Sequence, residues 1–190
     1  MTTPSDATLL NAIAAEKSPG SAFSRLYARH ADPVFRYGLV VSQCAAIAED
    51  ATQDTFVQMF ERASEYDAAR SESALGWLYG LLRNNVRKLI RERAVEAQHI
   101  EAQGVAPSTE HLCQLSDDVM ELQSAISLLN IEQREVLFLI SLEGLDYAAA
   151  SNVLGIPIGT VRSRLSRARH ELRATIAKDE PVNKVEVSHG

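Results

Sequence analysis

The sequence predicts an all-α protein: two small helical domains joined by a flexible linker, the second containing a helix-turn-helix. Three observations carry this reading. Glycine and proline are sparse, at 9 and 6 of 190 residues, while alanine, leucine, arginine and glutamate are abundant, a balance that favours helix. Apolar residues recur at three- and four-residue spacing through most of the chain, as on a helix with one buried face. That period is lost between Ala94 and Leu115. The chain therefore divides into a domain over 1–93, an acidic linker over 94–115, a second domain over 116–177 and a polar tail over 178–190.

Composition removes several classes of function. A hydrophobic content of 46% suffices for buried cores. No apolar run reaches membrane-spanning length, and the start, Met-Thr-Thr-Pro-Ser-Asp, does not resemble a signal peptide. A cytoplasmic protein without direct membrane insertion is expected. Cys44 and Cys113 stand far apart without a CxxC, which argues against a disulfide framework or a zinc knuckle; Cys44 reads as a small buried residue. His99, His111 and Cys113 are too irregularly spaced to form a metal site. There is no phosphate-cradling glycine loop and no Ser/His/Asp grouping, so neither an enzyme nor a cofactor is expected.

The first helix is expected over Asp6 to Glu16, with Leu9, Leu10 and Ile13 on its apolar side, ended by Ser18-Pro19-Gly20. Phe23, Leu26, Tyr27 and His30 follow at core spacing. Asp32-Pro33 is a cap and first-turn pair, which predicts a restart or kink before Val34 to Val41. His30, on the apolar side, reads as a satisfied core or boundary histidine. From Ala46 to Arg62, Ile47, Ala51, Phe56 and Phe60 face inward and Glu49, Asp50, Gln53, Asp54 and Gln58 outward. That acidic face is either solvated or a docking surface for a basic partner.

Glu65 to Ser73 is aperiodic and reads as a loop. Leu75 to Arg93 is one helix with Trp77, Leu78, Leu81, Leu82, Val86, Leu89 and Ile90 on one side and Arg83, Asn84, Arg87, Lys88 and Arg91 outward. Ser116 is expected to cap a helix carrying Val119, Leu122, Ile126 and Leu129. Asn130 caps the next, with Gln133 at the reciprocal position, and Gly144 ends it. Asp146 then caps a short helix bearing Ala148, Ala149 and Ala150. Gly155 supplies a sharp turn, and Pro157 blocks continuation. The last helix begins between Ile158 and Thr160 and places Val161, Leu165, Ala168 and Leu172 on one face. Ser163 and His170 lie opposite, flanked by Arg162, Ser166, Arg167 and Arg173.

The net charge of −6 is the wrong sign for a nucleic-acid binder, but its distribution is not. Residues 160–173 hold five arginines and one glutamate, a second basic block spans Arg83 to Arg93, and Ala94 to Gln133 holds seven acids and no Lys or Arg. An apolar stripe backed by a cationic, hydroxyl-bearing face suits a helix that packs inward and reads a DNA major groove outward. With this acidic balance, the free chain is expected to bind DNA poorly until a partner unlocks it.

Three stretches carry a family resemblance. Gly155-Ile-Pro-Ile-Gly-Thr-Val-Arg-Ser-Arg-Leu-Ser-Arg-Ala-Arg resembles the promoter-reading C-terminal domain of bacterial sigma factors of the sigma-70 family, the extracytoplasmic-function group in particular. Ala48-Glu-Asp-Ala-Thr-Gln-Asp-Thr-Phe resembles the sigma segment that grips the clamp helices of core RNA polymerase. This implies polymerase binding by Glu49, Asp50, Gln53 and Asp54. Trp77-Leu-Tyr-Gly-Leu-Leu-Arg-Asn-Asn resembles the sigma helix that melts and reads the minus-ten element; Ala74 stands where the family usually has an aromatic. The resemblance implies that Arg83, Arg87, Lys88 and Arg91 hold phosphates there while Asn84 holds an unstacked base. It places Thr160, Arg162, Ser163, Ser166 and Arg167 near the minus-thirty-five element, and it implies control by an anti-sigma protein, in this group often membrane-bound. The alternative is a stand-alone helix-turn-helix regulator, which would need a dimerising or ligand-sensing domain in residues 1 to 93. A non-transcribing sigma mimic would not need the intact basic residues of both blocks.

Overall fold

A computed structural model describes residues 3–69, 73–101 and 124–179. The helices are α1 (Asp6–Ala14), α2 (Pro19–Ser42), α3 (Ala45–Glu61), α4 (Leu75–Glu101), α5 (Ile131–Leu137), α6 (Tyr147–Leu154) and α7 (Ile158–Asp179). A 3-10 turn over Ala63–Glu65 follows α3, and α5 passes into a π-helical turn over Phe138–Leu142. No strand occurs among the described residues. The expected Ser116 cap and most of the acidic linker lie outside them.

Helices α1 to α4 bury Leu9, Leu10, Leu26, Val34, Phe56, Met59, Leu78, Leu82 and Val86; α5 to α7 bury Val136, Leu139, Ala150, Leu154, Val161, Leu165 and Ala168. These residues form one continuous apolar cluster, bridged where Phe138 lies 5.2 Å from the ring of Tyr37 and 6.0 Å from that of Tyr79. Gly38 lets α2 pass close to α3: a Cβ there would stand 3.3 Å from Cα and Cβ of Ala48. A polar latch joins α3 to α4, in which the buried Asn85 donates to Thr55 Oγ1 at 3.1 Å and accepts from Gln58 Nε2 at 2.9 Å.

Four expectations are corrected. Helix α2 does not restart at Pro33 but runs through it, because Val34, Tyr37 and Val41 continue the buried stripe of Leu26 and His30. Phe60 is 43% exposed and Tyr27 45%; Phe56 fills the α2–α3 contact, and Phe23 stacks on Tyr27 and packs edge-on to Phe60 at its rim. Gln58 is not a solvent-facing residue but part of the latch. Helix α4 does not stop at Arg93 but extends to Glu101, since Ala94-Val-Glu-Ala-Gln contains no breaker before Gly104.

Asp6, buried at the start of α1, ties three segments together. It binds Arg29, meets His30 Nε2 at 2.9 Å and accepts the Ala74 amide at 2.8 Å. Burial is the largest influence on its carboxyl and raises the pKa. The Ala74 amide, the charge of His30 and the bonds from Arg29 and His30 together outweigh it, leaving the pKa below 3.8. For His30 burial is again largest and lowers the pKa below 6.5, against the pull of Asp6. A group whose pKa is depressed by folding stabilises the fold above its unfolded value and loses that contribution as pH falls. Stability should therefore decline as pH drops below 6.5, while His30 charges, and again below 3.8, while Asp6 protonates. Urea unfolding across pH should show His30→Gln abolishing the first decline and keeping the second. Identical profiles for both proteins between neutral pH and the Asp6 range would mean that His30 does not titrate with folding.

Candidate nucleic-acid interface

The C-terminal pair is built by its caps. Asn130 and Gln133 close a reciprocal capping box, with both bonds at 2.9 Å, and start α5. Gly144 takes a left-handed φ of 69° after the π turn. The Asp146 carboxylate accepts the Ala149 amide at 2.7 Å to start α6. Gly155, at φ 65° and ψ 34°, turns the chain through a conformation only glycine adopts freely. The Ser151 hydroxyl holds the turn by donating to the Ile156 carbonyl. Helix α7 follows with Val161, Leu165 and Ala168 fully buried against α5 and α6.

That burial fixes what α7 shows to solvent. Arg162, Ser163, Ser166 and Arg167 are exposed on one face, and Thr160 is half-buried, its carbonyl accepting the Ser163 hydroxyl at 3.1 Å. Arg162 stacks over the Tyr147 ring at 5.2 Å; among the described residues no ion pair engages Arg162 or Arg167. Glu171, the one acid of this stretch, is tied back to α5 by Gln133 Nε2 at 2.7 Å. A cationic helix face whose Arg162 and Arg167 carry no ion pair among the described residues, and which is rigid behind, can enter a groove of duplex DNA.

Helix α4 is arranged differently. Asn84 and Lys88 are exposed, and Lys88 stands 3.9 Å from Glu92. Arg91 is exposed and donates to the Arg87 carbonyl on its own helix. The expectation that Arg83 and Arg87 face outward is corrected: both are half-buried and engage α5. Arg83 Nε donates to Glu135 at 3.0 Å, and Arg87 forks onto both Glu135 oxygens at 2.9 Å and reaches Glu132 at 3.2 Å. Burial raises the pKa of Glu132, but its helix-end amide and Arg87 prevail and hold it low. Glu135, 0% exposed, is the buried carboxylate that sequence reading did not single out. No period or cap in the sequence marks it, since its partners stand on α4, 48 and 52 residues away. Beside these pairs a cleft of about 920 Å³ opens between α4 and α6, lined by Trp77, Gly80, Asn84, Ala149 and Asn152. Ala74, where the resemblance leads one to expect an aromatic, is buried before α4.

On α3, Glu49, Asp50, Gln53 and Asp54 are all exposed on one edge, which continues into the exposed Val57 and Phe60. Asp50 pairs with Arg93 of α4 at 3.2 Å. Cys44 is half-buried, not fully buried, with its sulfur 3.5 Å from Arg93. No cluster of three metal-ligating side chains occurs among the described residues; His111 and Cys113 lie outside them, as does the side chain of His99. Among the described residues, no helix is long and apolar enough to cross a membrane.

Comparison with known proteins matches residues 26–95 to Sigma-70 region 2 and residues 119–172 to Sigma-70, region 4. The chain is 34% identical over 175 residues to the ECF RNA polymerase sigma factor SigC of Mycobacterium tuberculosis, covering 89% of this chain and 91% of that one. It is 32% identical over 162 residues to the ECF RNA polymerase sigma factor SigE of Mycolicibacterium smegmatis, covering 82% of this chain but spanning only 62% of that relative's length. Among solved structures it resembles the sigma factor RpoE in complex with the anti-sigma factor NepR from Bartonella quintana. The TM-score is 0.70 at 26% identity, over 83% of this chain and 98% of that one.

Proposed function

The chain belongs to the extracytoplasmic-function sigma factors of bacterial RNA polymerase, and on that premise we propose how its faces divide the work of initiation. Residues 1–93 form the domain that docks on core polymerase through Glu49, Asp50, Gln53 and Asp54 and engages the minus-ten element through α4. Residues 116–177 form the domain that reads the minus-thirty-five element through Thr160, Arg162, Ser163, Ser166 and Arg167, and residues 94–115 connect them. The observation that carries this reading is the outward face of α7, where exposed arginines and serines stand over a fully buried Val161, Leu165 and Ala168. The protein acts in the cytoplasm as an initiation factor for a signal-responsive set of genes, not as an enzyme, and an anti-sigma protein holds it as NepR holds RpoE. A stand-alone helix-turn-helix regulator is not favoured, because residues 26–95 match region 2 and supply no ligand-sensing domain. The purified chain should co-elute with core polymerase and direct run-off transcription. Failure to co-elute would overturn the assignment.

A further inference from the structure

The arginines of α7 are not equally free to choose a direction. Arg164 is half-buried and lends its charge to Glu132 of α5, and Arg169 donates to the Ser141 hydroxyl at 3.3 Å. Arg162 faces outward, and its guanidinium lies over the Tyr147 ring, 5.2 Å from the centroid. Both ends of that contact stand on fixed backbone. Tyr147 follows the Asp146 cap, whose carboxylate takes the Ala149 amide at 2.7 Å, and Ala150 and Leu154 are buried behind it. Arg162 follows Val161, which is 0% exposed. The ring itself is 36% exposed, so it reaches the surface beside the arginine instead of filling the core.

The kind of contact decides what the arginine can still do. A carboxylate partner would take N–H donors from the guanidinium. An aromatic face takes none, because it meets the flat of the cation. Arg162 is thus held in direction with its fork of donors available. Direction matters unequally between ligands. A phosphate contact carries no sequence information however it is made, whereas the O6 and N7 of a guanine require one planar approach.

We propose that Tyr147 is a positioning residue for promoter recognition: its ring aims Arg162, and so sets the base preference at the minus-thirty-five element without touching a base itself. This rests on reading α7 as the minus-thirty-five helix.

The test uses the full chain assembled with core polymerase, in run-off transcription across a library of element variants. Tyr147→Leu removes the ring at similar bulk, and Tyr147→Phe keeps the ring without its hydroxyl. A cation–π contact at an exposed site is equivalent to about two- to fivefold. Tyr147→Leu should therefore lower discrimination by that factor at the base position that Arg162→Ala flattens, and Tyr147→Phe should keep it. Tyr147→Leu combined with Arg162→Ala should do no more than Arg162→Ala alone. Circular dichroism checks each fold; should Tyr147→Leu unfold, Tyr147→Gln, polar and helix-forming, takes its place. Preference lost in Tyr147→Phe assigns the effect to the hydroxyl and overturns the proposal. A common factor at every element variant, or losses that add in the double variant, overturns it too, since Tyr147 then acts on its own account. Preference lost in Arg162→Ala but intact in Tyr147→Leu overturns the positioning alone. If neither substitution alters preference, the reading of the element through Arg162 has failed as well.

Discussion

Reversing Glu49, Asp50 and Asp54 to lysine together should abolish capture of core polymerase while leaving the helices folded. All three stand exposed on one edge of α3, whose attachment depends on Ile47, Ala51, Phe56 and Met59 behind them, so reversal opens no cavity. The internal contact at stake is Asp50 with Arg93, a pair in which both side chains are about half exposed. Pairs of that kind contribute about 0–1 kcal/mol. Across an interface the arithmetic differs, because close charge pairs couple by about 1.5–7 kcal/mol and reversal turns attraction into repulsion. A loss of about 3 kcal/mol, more than a hundredfold in affinity, is the least expected. Fluorescence anisotropy against core polymerase measures it, and circular dichroism confirms the fold. Affinity within a factor of two or so of the unaltered chain would mean that the acidic edge is merely solvated.

On α7 the expected result separates reading from holding. Arg162→Ala and Arg167→Ala should each weaken transcription selectively at the minus-thirty-five element, with at least one relaxing base preference. An arginine that forks onto a guanine edge discriminates by about 1–3 kcal/mol, whereas one on phosphate contributes alike for every sequence. Both side chains are exposed and free of ion pairs among the described residues, so the fold loses no more than the stacking of Arg162 over Tyr147. Arg162 is further held over the Tyr147 ring, which narrows the rotamers lost on binding. Arg173, also exposed but nearer the helix end, should on substitution to alanine cost only general affinity and reduce the salt dependence. Run-off transcription across a library of element variants gives the answer. A single common factor at every variant would move specificity to DNA shape or to other residues.

Sequence showed most clearly where the chemistry is local. The Asn130–Gln133 box, the Asp146 cap and the Gly155 turn each act within a few residues, and all three are formed. The buried stripe of α7 follows from helical period alone, and with it the exposure of Arg162, Ser163, Ser166 and Arg167. The pairing of Arg83 and Arg87 with Glu135 spans 52 and 48 residues of chain, and no period or cap encodes a contact at that range. Each arginine sits correctly outside the stripe of Leu78, Leu82 and Val86, yet the space outside that stripe is filled by α5. Phe60 and Tyr27 illustrate the same limit in reverse: spacing marks them as core, but the α2–α3 contact is completed by Phe56 and leaves them at its rim. Pro33 misleads because local strain at one residue is outweighed by the buried positions on both sides of it.

One turn of α2 touches both the C-terminal half and α3. Tyr37 meets Phe138 of the C-terminal half, the Val41 carbonyl receives Arg134, and Gly38 between them lies against Ala48, the residue before Glu49. The approach at Gly38 leaves no slack, and closely packed interiors pass a displacement on instead of absorbing it. The acidic edge of α3 and the aromatic seam are therefore mechanically coupled through this turn, alongside the route through α4 by way of Arg93 and Arg87. A load applied at Glu49 and Asp50 is delivered, through Ala48 and Gly38, to the contacts that hold the two halves of the protein together.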